Sequence, residues 1–366
     1  MKEKAFLFWL YQIKGIGKAK RAILLKHFKT AECIFRVDSA SYQGIKGITE
    51  KDIKGLIQAK EGISEEKIEE SYNQLKERQI QFIVRGEKAY PEKLSRIYDP
   101  PDALFVRGKL PDFNKKSVAI VGARNCSAYG KEMAEWFGRE LGNAGIQIVS
   151  GLARGIDGYA HSGALEGDGD TFAVLGCGVD VCYPPEHISL FTKMINRGGI
   201  ISEYAMGTAP KAGNFPMRNR ILSGLADGII VVEAKKRSGS LITAEIGLEQ
   251  GKDIFAIPGK AWDSLSEGSN SLIKEGAFLV TKPNDVMDFY EVKWEKFSQI
   301  NKKNEIFLDF KQKMVYSCLS FKPKHISIII EETQMPFWEV TEAIIELQLQ
   351  NRIREITSNC FVIERD

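Results

Sequence analysis

Ser117-Val118-Ala119-Ile120-Val121 runs straight into Gly122-Ala123-Arg124-Asn125-Cys126-Ser127. The run is apolar and continuous rather than alternating, as expected for a strand buried on both faces. The loop after it is small and polar and carries one arginine. Five further runs read the same way: Ile146-Gln147-Ile148-Val149, Thr171-Phe172-Ala173-Val174-Leu175, Gly199-Ile200-Ile201, Gly228-Ile229-Ile230-Val231-Val232 and Ile254-Phe255-Ala256-Ile257. Helical periodicity separates them, near 129–144, 156–166, 187–197, 218–226 and 240–251. This alternation predicts an α/β fold with a doubly wound, mostly parallel sheet. Ligands of such sheets sit outside the carboxyl ends of the strands, so the loops there are where chemistry is expected.

Working outward, the 366 residues suggest two or three domains. Hydrophobic residues at 43% and charged residues at 27% are ordinary globular values, which excludes a disordered or fibrous chain. The net charge of +3 excludes a globally basic coat but not a local basic site. Cys33, Cys126, Cys177, Cys182, Cys318 and Cys360 form no C-x-x-C pair. Buried free thiols are expected, without disulfides or a zinc site. The apolar run Ala5 to Leu10 is too short for a signal-peptide core or a membrane span, so a soluble, cytoplasmic protein with no membrane partner is expected.

The ends differ in charge. Residues 1–36 carry nine Lys/Arg and two acids, or +7, whereas residues 306–366 carry seven and nine, or −2. The first segment is helical in pattern, with Leu7, Leu10, Tyr11 and Ile13 on one face before Gly15-Ile16-Gly17. That tripeptide resembles the hairpin of a helix-hairpin-helix motif, with Lys18, Lys20 and Arg21 placed for DNA phosphates. Helical packing is the alternative. A weaker copy follows at Ile45-Lys46-Gly47-Ile48, then an amphipathic helix from Glu61 to Arg78. Residues 291–305 are polar and read as a linker. The tail predicts helices near 311–319, 323–332 and 336–350, then a hairpin turning at Ser358-Asn359, together a winged-helix pattern. Its third helix carries Glu339, Glu342 and Glu346, which repel phosphate, so this module is expected to leave DNA alone.

The loops at the strand ends carry the chemistry. They are Gly122 to Ser127, then Ser150-Gly151-Leu152-Ala153-Arg154-Gly155, then Gly176-Cys177-Gly178, and finally Glu233-Ala234-Lys235-Lys236-Arg237-Ser238-Gly239-Ser240. The last opens directly into a helix, whose first amides and dipole favour an anion, most plausibly phosphate. Tight turning alone is the other reading of these glycines. Asn214-Phe215-Pro216-Met217-Arg218-Asn219-Arg220 suits a single strand, with the ring on a base and arginines on phosphates. A core Phe, a capping Asn and solvated arginines explain the stretch equally well. Asp157 and His161, four apart on a helix, suggest a histidine oriented by a carboxylate or, less simply, an acid/base pair. Gly-x-Gly-x-x-Gly and Gly-x-x-x-x-Gly-Lys-Ser/Thr are absent, so no nucleotide cofactor and no metal is expected.

Together these motifs resemble one family. Val121-Gly122-Ala123-Arg124, Ser150 to Asp157 with Ala160-His161, Gly176 to Asp180 with Tyr183-Pro184, Ser202-Glu203-Tyr204 with Gly207-Thr208, Asn214 to Leu225, and Glu233 to Ala244 fall in the order of the DNA processing protein A (DprA/Smf) family. The resemblance implies an extended Rossmann-like domain at 85–290, a helical helix-hairpin-helix (SAM-like) domain at 1–84, a linker at 291–305 and a winged-helix-like domain at 306–366. It implies a non-catalytic recombination mediator that binds single-stranded DNA, forms a homodimer, protects incoming strands and loads the RecA recombinase during natural transformation, in competence. The alternative is a nucleotide-hydrolysing enzyme of phosphoribohydrolase type on a related scaffold. The expected DNA-binding residues are Gly122, Arg124, Ser127, Ser150, Gly151, Arg154, Lys211, Asn214, Phe215, Arg218, Asn219, Arg220, Lys235, Arg237, Ser238, Gly239 and Ser240. Two departures stand out: Ala123 replaces a common Ser, and Lys211 lies four residues ahead of Phe215 where some relatives have three.

Overall fold

Strands β1 (Ile80–Val84) and β2 (Ala103–Gly108) pair antiparallel at one edge of a nine-stranded sheet. The six expected runs follow as β3 (Ser117–Val121), β4 (Gln147–Ser150), β5 (Thr171–Val174), β6 (Gly198–Ser202), β7 (Gly228–Val231) and β8 (Asp253–Ala256), and β9 (Phe278–Leu279) closes the other edge. The order is β1-β2-β6-β5-β4-β3-β7-β8-β9, and from β6 to β9 every pairing is parallel. The chain winds from β3 out to β6, then crosses back to β7. The switch point therefore lies where β3 meets β4 and β7, the crevice at which such sheets take ligands. In this computed structural model the described residues are 2–292, 309–320 and 323–364.

Every residue of β3 to β7 is buried, as their unbroken apolar runs require. Helices α1 (Lys2–Gln12), α2 (Lys18–Phe28), α3 (Ala31–Arg36), α4 (Glu50–Lys60), α5 (Glu65–Glu77) and α6 (Glu92–Ser95) precede β3, and α7 (Ala128–Asn143), α8 (Ile156–Glu166) and α9 (Ile188–Asn196) follow β3, β4 and β5. Helices α10 (Asn214–Leu225), α11 (Gly239–Glu249) and α12 (Glu267–Lys274) follow β6, β7 and β8. Ile221, Leu222, Leu225, Ala244 and Leu272 from these three pack on Val121, Val149, Val174, Val231 and Ala256 of the sheet.

The chain divides into two compact units, Met1–Lys293 and Trp294–Asp366. In the first, five helices gather a separate core around Phe6, Leu10, Leu24, Ile34, Tyr42 and Leu56. The sheet starts earlier than the expected boundary at 84. Ile80–Val84 leaves the helix Glu65–Glu77 after a short turn and buries Ile80, Phe82 and Ile83 as an edge strand. In the second unit, helices Phe310–Cys318, Ile326–Thr333 and Phe337–Leu349 enclose Val315, Ile329, Val340, Ile344 and Leu347. A three-stranded sheet completes it, ordered β10 (Lys324–His325), β12 (Cys360–Ile363), β11 (Ile353–Thr357). Its hairpin turns at Ser358 and Asn359 as the sequence predicts. Beyond Val292 the expected linker lies outside the described residues. All six cysteines are free, but of them only Cys177 is buried, and Cys33 is exposed.

Candidate nucleic-acid interface

Two strand ends build the centre of the site. Gly122 follows β3 where a Cβ would stand 2.6 Å from Ile156 Cγ1 and 2.9 Å from the Glu233 carbonyl oxygen. The loop is thus clamped between the start of α8 and the end of β7. Glu233 tightens the clamp by accepting the Ser127 amide at 2.9 Å and the Ser127 hydroxyl. Across the crevice, α11 begins at Gly239, and Ser238 at its N-cap makes no side-chain cap. Its hydroxyl pairs instead with the Ser240 hydroxyl at 2.7 Å. The first turn of α11 is therefore left to water or an anion, with the positive end of the helix dipole behind it.

Between these loops lies a groove of about 350 Å³ that brings together Gly122, Arg124, Phe215, Arg218, Asn219, Ser238, Gly239 and Ser240. Phe215 forms its aromatic wall. The Arg124 guanidinium stands 5.4 Å from the ring centroid, and Tyr183 approaches it at 5.7 Å with the rings 33° apart. Sequence reasoning quoted Tyr183 and Glu233 within motifs but gave neither a role in the site. Tyr183 follows a loop with no basic residue, and Glu233 opens a basic loop yet turns its carboxylate to Ser127. Arg124, Lys211, Lys235 and Arg237 are exposed, and none makes an ion pair among the described residues.

Several expected contact residues are placed elsewhere. Ser150 is buried and donates to the Ile120 carbonyl at 2.6 Å. The Ser127 hydroxyl caps α7, accepting from Gly130 at 3.1 Å. Arg154 pairs with Glu186 at a neighbouring cleft of about 620 Å³. Asn214 is the first residue of α10, which starts four residues before the expected 218, and its side chain donates to the Gly176 carbonyl at 2.9 Å. Arg220 faces away from the groove, bonded to Glu203 at 2.6 Å and Asp99 at 2.9 Å. The hairpin cations are engaged within the protein. Lys18 pairs with Asp99, Lys20 bonds Asp52 at 2.6 Å, and Arg21 lies 3.9 Å over the Tyr11 ring.

Arg218 lines the groove from beneath, only 5% exposed, and donates to the carbonyls of Gly151, at 2.9 Å, and Val174. Burial pushes its pKa down, but a guanidinium keeps its proton. Asp157, buried nearby, is pushed up by burial, with Arg218 opposing. Its carboxylate accepts the Gly151 amide at 3.1 Å and the Ala153 amide at 3.4 Å. His161 does not meet it. The imidazole Nδ1 contacts the Thr171 hydroxyl at 2.6 Å, and burial, with help from the charge on His187, pushes its pKa down to about 3. The spacing of four thus builds two separate buried bonds, neither an acid/base pair nor a carboxylate-oriented histidine.

Among the described residues no group of three or more His, Cys, Asp and Glu is placed to hold a metal, and no helix is long and apolar enough to cross a membrane.

Fold and groove define the class: a doubly wound α/β protein with cations in no ion pair among the described residues, an aromatic wall and a helix start without a side-chain cap at the carboxyl ends of its strands. The family model of DNA recombination-mediator protein A matches residues 81–291. The chain is 37% identical to Protein Smf of Escherichia coli over 297 residues, 79% of either chain. It is 48% identical to DNA processing protein DprA of Streptococcus pneumoniae over 202 residues, 55% of this chain and 71% of that one. The X-ray structure of the Streptococcus pneumoniae DprA matches with a TM-score of 0.66 at 36% identity, covering 81% of this chain and all of that one. DNA processing protein A of Helicobacter pylori, whose structure was studied for its single-stranded DNA binding mode, matches at 0.52 and 28%, over 58% and 95% of the chains. The chain belongs to the DNA recombination-mediator protein A family.

Proposed function

We propose that this protein binds single-stranded DNA along the carboxyl edge of its sheet, without turnover, and passes the strand to a RecA recombinase. Arg124, Lys211, Lys235 and Arg237 hold phosphates, the open turn at Ser238, Gly239 and Ser240 receives one more, and Phe215 stacks on a base. Gly122, Gly151, Arg218 and Asn219 shape the groove. One observation carries this reading: the exposed Arg124 guanidinium, in no ion pair among the described residues, 5.4 Å from the Phe215 ring and across from a helix start with no side-chain cap. Ring and cation together fit an unpaired base and its phosphate, whereas duplex DNA hides the base faces. The RecA partner, the homodimer, protection of the incoming strand, natural transformation and a cytoplasmic setting follow from the family resemblance. So do the division of the first unit at about residue 84 and the winged-helix nature of the tail.

Fluorescence anisotropy of labelled oligonucleotides across a salt series tests it. The wild type should prefer the single strand with a steep salt dependence. Arg124→Ala should weaken binding and flatten the slope of log K against log salt by about 0.7, one phosphate contact on a single strand. Equal binding of both forms, unmoved by Arg124→Ala or by Lys235→Ala with Arg237→Ala, would refute the proposal.

A further inference from the structure

In the tail unit, the helix Phe337–Leu349 is apolar on two opposite sides. One side carries Val340, Ala343, Ile344 and Leu347, all buried in the core of that unit. On the other, Phe337 and Trp338 are each 62% exposed, Ile345 51% and Leu349 78%. Trp338, Glu342, Ile345 and Leu349 follow at steps of four, three and four, and Phe337, Thr341 and Ile345 at steps of four. Those are the spacings of neighbours on one helix face, so the four apolar side chains form one stripe. A helix that is apolar around most of its circumference is one built to be covered on both sides. Aromatic side chains alone cover roughly 150–250 Å² each, so at these exposures the stripe leaves on the order of a few hundred Å² of apolar surface in water, the scale that marks an interaction site.

The stripe has a charged border. Glu339, Glu342 and Glu346, at steps of three and four, run along one flank. Lys311 lies 3.6 Å from Glu339 and 3.5 Å from Glu342, and Gln312 donates to Glu346 at 2.8 Å. Lys311 also stands 5.3 Å from the Trp338 ring centroid, which holds the indole at the seam between stripe and acids. One cation for two carboxylates, and a neutral amide for the third, leave this border acidic. An occupant must therefore offer apolar side chains at helical spacing and cations along one edge. A second copy of this helix offers the first without the second. Two stripes packed antiparallel set acids against acids, and packed parallel they leave both borders without a cation. A nucleic acid meets the same acids as a polyanion and is repelled.

We infer that this face docks an amphipathic helix of another protein. Its aliphatic residues, at i, i+3 or i+4 and i+7, sit on Phe337, Trp338, Ile345 and Leu349, and Lys or Arg along one of its flanks meets Glu339, Glu342 and Glu346. The apolar stripe holds the partner, and the acids select it and set the direction in which it lies. The site belongs to a different compact unit from the single-strand groove and stands whatever binds there.

Two fluorescein-labelled synthetic helical peptides, followed by anisotropy on the full chain, test it. Both carry Leu at the a and d positions of three heptads, one with Lys at e and g and the other with Glu. The Lys peptide should bind saturably and at least about tenfold more tightly than the Glu peptide at low salt, a margin that shrinks as salt rises. Trp338→Ala should weaken it roughly tenfold or more, and Ile345→Ala and Leu349→Ala by less. These side chains face water, so the melting temperature should hold in all three. Glu342→Lys with Glu346→Lys should turn the preference toward the Glu peptide. Absence of saturable binding by the Lys peptide, equal binding of the two peptides, or binding blind to all three alanine variants would each overturn the inference. Sedimentation that shifts with concentration in the wild type but not in Ile345→Lys would give the face to a second copy. A loss of single-strand affinity in Trp338→Ala would give it to DNA, and either result overturns the inference as well.

Discussion

Arg124 and Arg220 lie on opposite sides of one design problem, a cation held where it can work against a cation that holds the protein. Arg124 is exposed, with the Phe215 ring 5.4 Å from its guanidinium and no ion pair among the described residues. Arg220 is nearly covered and satisfied by Glu203 and Asp99. Arg124→Ala should therefore cut single-strand affinity about five- to tenfold and leave the melting temperature unchanged, by anisotropy and calorimetry on the same samples. Arg220→Ala should do the reverse. It strands the largely covered Glu203 carboxylate, at a cost of about 2–3 kcal/mol once the exposure of Asp99 is allowed for. Nothing near either arginine in sequence announces this difference, because Asp99 lies 121 residues from Arg220. The residue types of the site were legible, but the acids that disable Arg154, Arg220 and Lys18 arrive only with the fold. His161 yields a pH prediction of the same kind. Its folded pKa is about 3 against an ordinary 6.5, so between those values the unfolded chain binds the extra proton. Stability should fall as pH drops below 6.5, by up to about 1.4 kcal/mol per unit, with no further loss from this group below about 3. In His161→Gln the melting temperature should vary less steeply with pH over that window. An unchanged profile would remove His161 as the source.

The start of α11 and the start of α8 separate glycine for function from glycine for folding. Gly239 has open space around an added Cβ and an ordinary φ. Gly239→Ala should melt like the wild type, yet bind single strands roughly tenfold more weakly, because the methyl covers the amides offered to phosphate. Gly155, the N-cap of α8, has φ +74°, and a Cβ there would run into the carbonyls of Ala123 and Arg124. Gly155→Ala should lose about 2 kcal/mol or more of stability. If both variants melted early, the turn before α11 would be structural too. At this scale the sequence was most readable where elements repeat. Continuous apolar runs marked β3 to β8 because strands buried on two faces need no polar side. β1 and β2 escaped because they pair antiparallel across a connection from Arg85 to Asp102 rather than through a helical crossover, and β9 has only two residues. Helix α10 was placed late because Asn214-Phe215-Pro216 looks like a loop, whereas proline is at home in a helical first turn.

The two compact units keep separate hydrophobic cores, so their contributions to binding can be separated by cutting between them. Every residue assigned to the groove belongs to Met1–Lys293. In the tail unit the helix Phe337–Leu349 is the one that would enter a DNA groove if the winged-helix reading of the sequence holds. Its acids are held in place rather than neutralised. Lys311 lies 3.6 Å from Glu339 and 3.5 Å from Glu342, one cation for two carboxylates, and Gln312 donates to Glu346 at 2.8 Å. Phe337 and Trp338, each 62% exposed at the start of that helix, offer no charge to phosphate. With −2 over residues 306–366, the module repels a polyanion at every salt concentration, and screening weakens the repulsion without creating attraction. A chain ended at Val292 should therefore retain the single-strand affinity, the salt slope and the Arg124 dependence of the full chain. The fragment 306–366 should retard neither single- nor double-stranded DNA at low salt. Retardation by the fragment, or a fall in salt slope on truncation, would move part of the phosphate path into the tail. The asymmetry of +7 over residues 1–36 and −2 over the tail would then say nothing about function. Already the N-terminal half of that asymmetry carries less than it suggests, because Lys18, Lys20 and Arg21 are engaged inside the first unit. What net charge per segment cannot report is whether a cation has a partner, and that pairing is what separates the sheet edge from the hairpin.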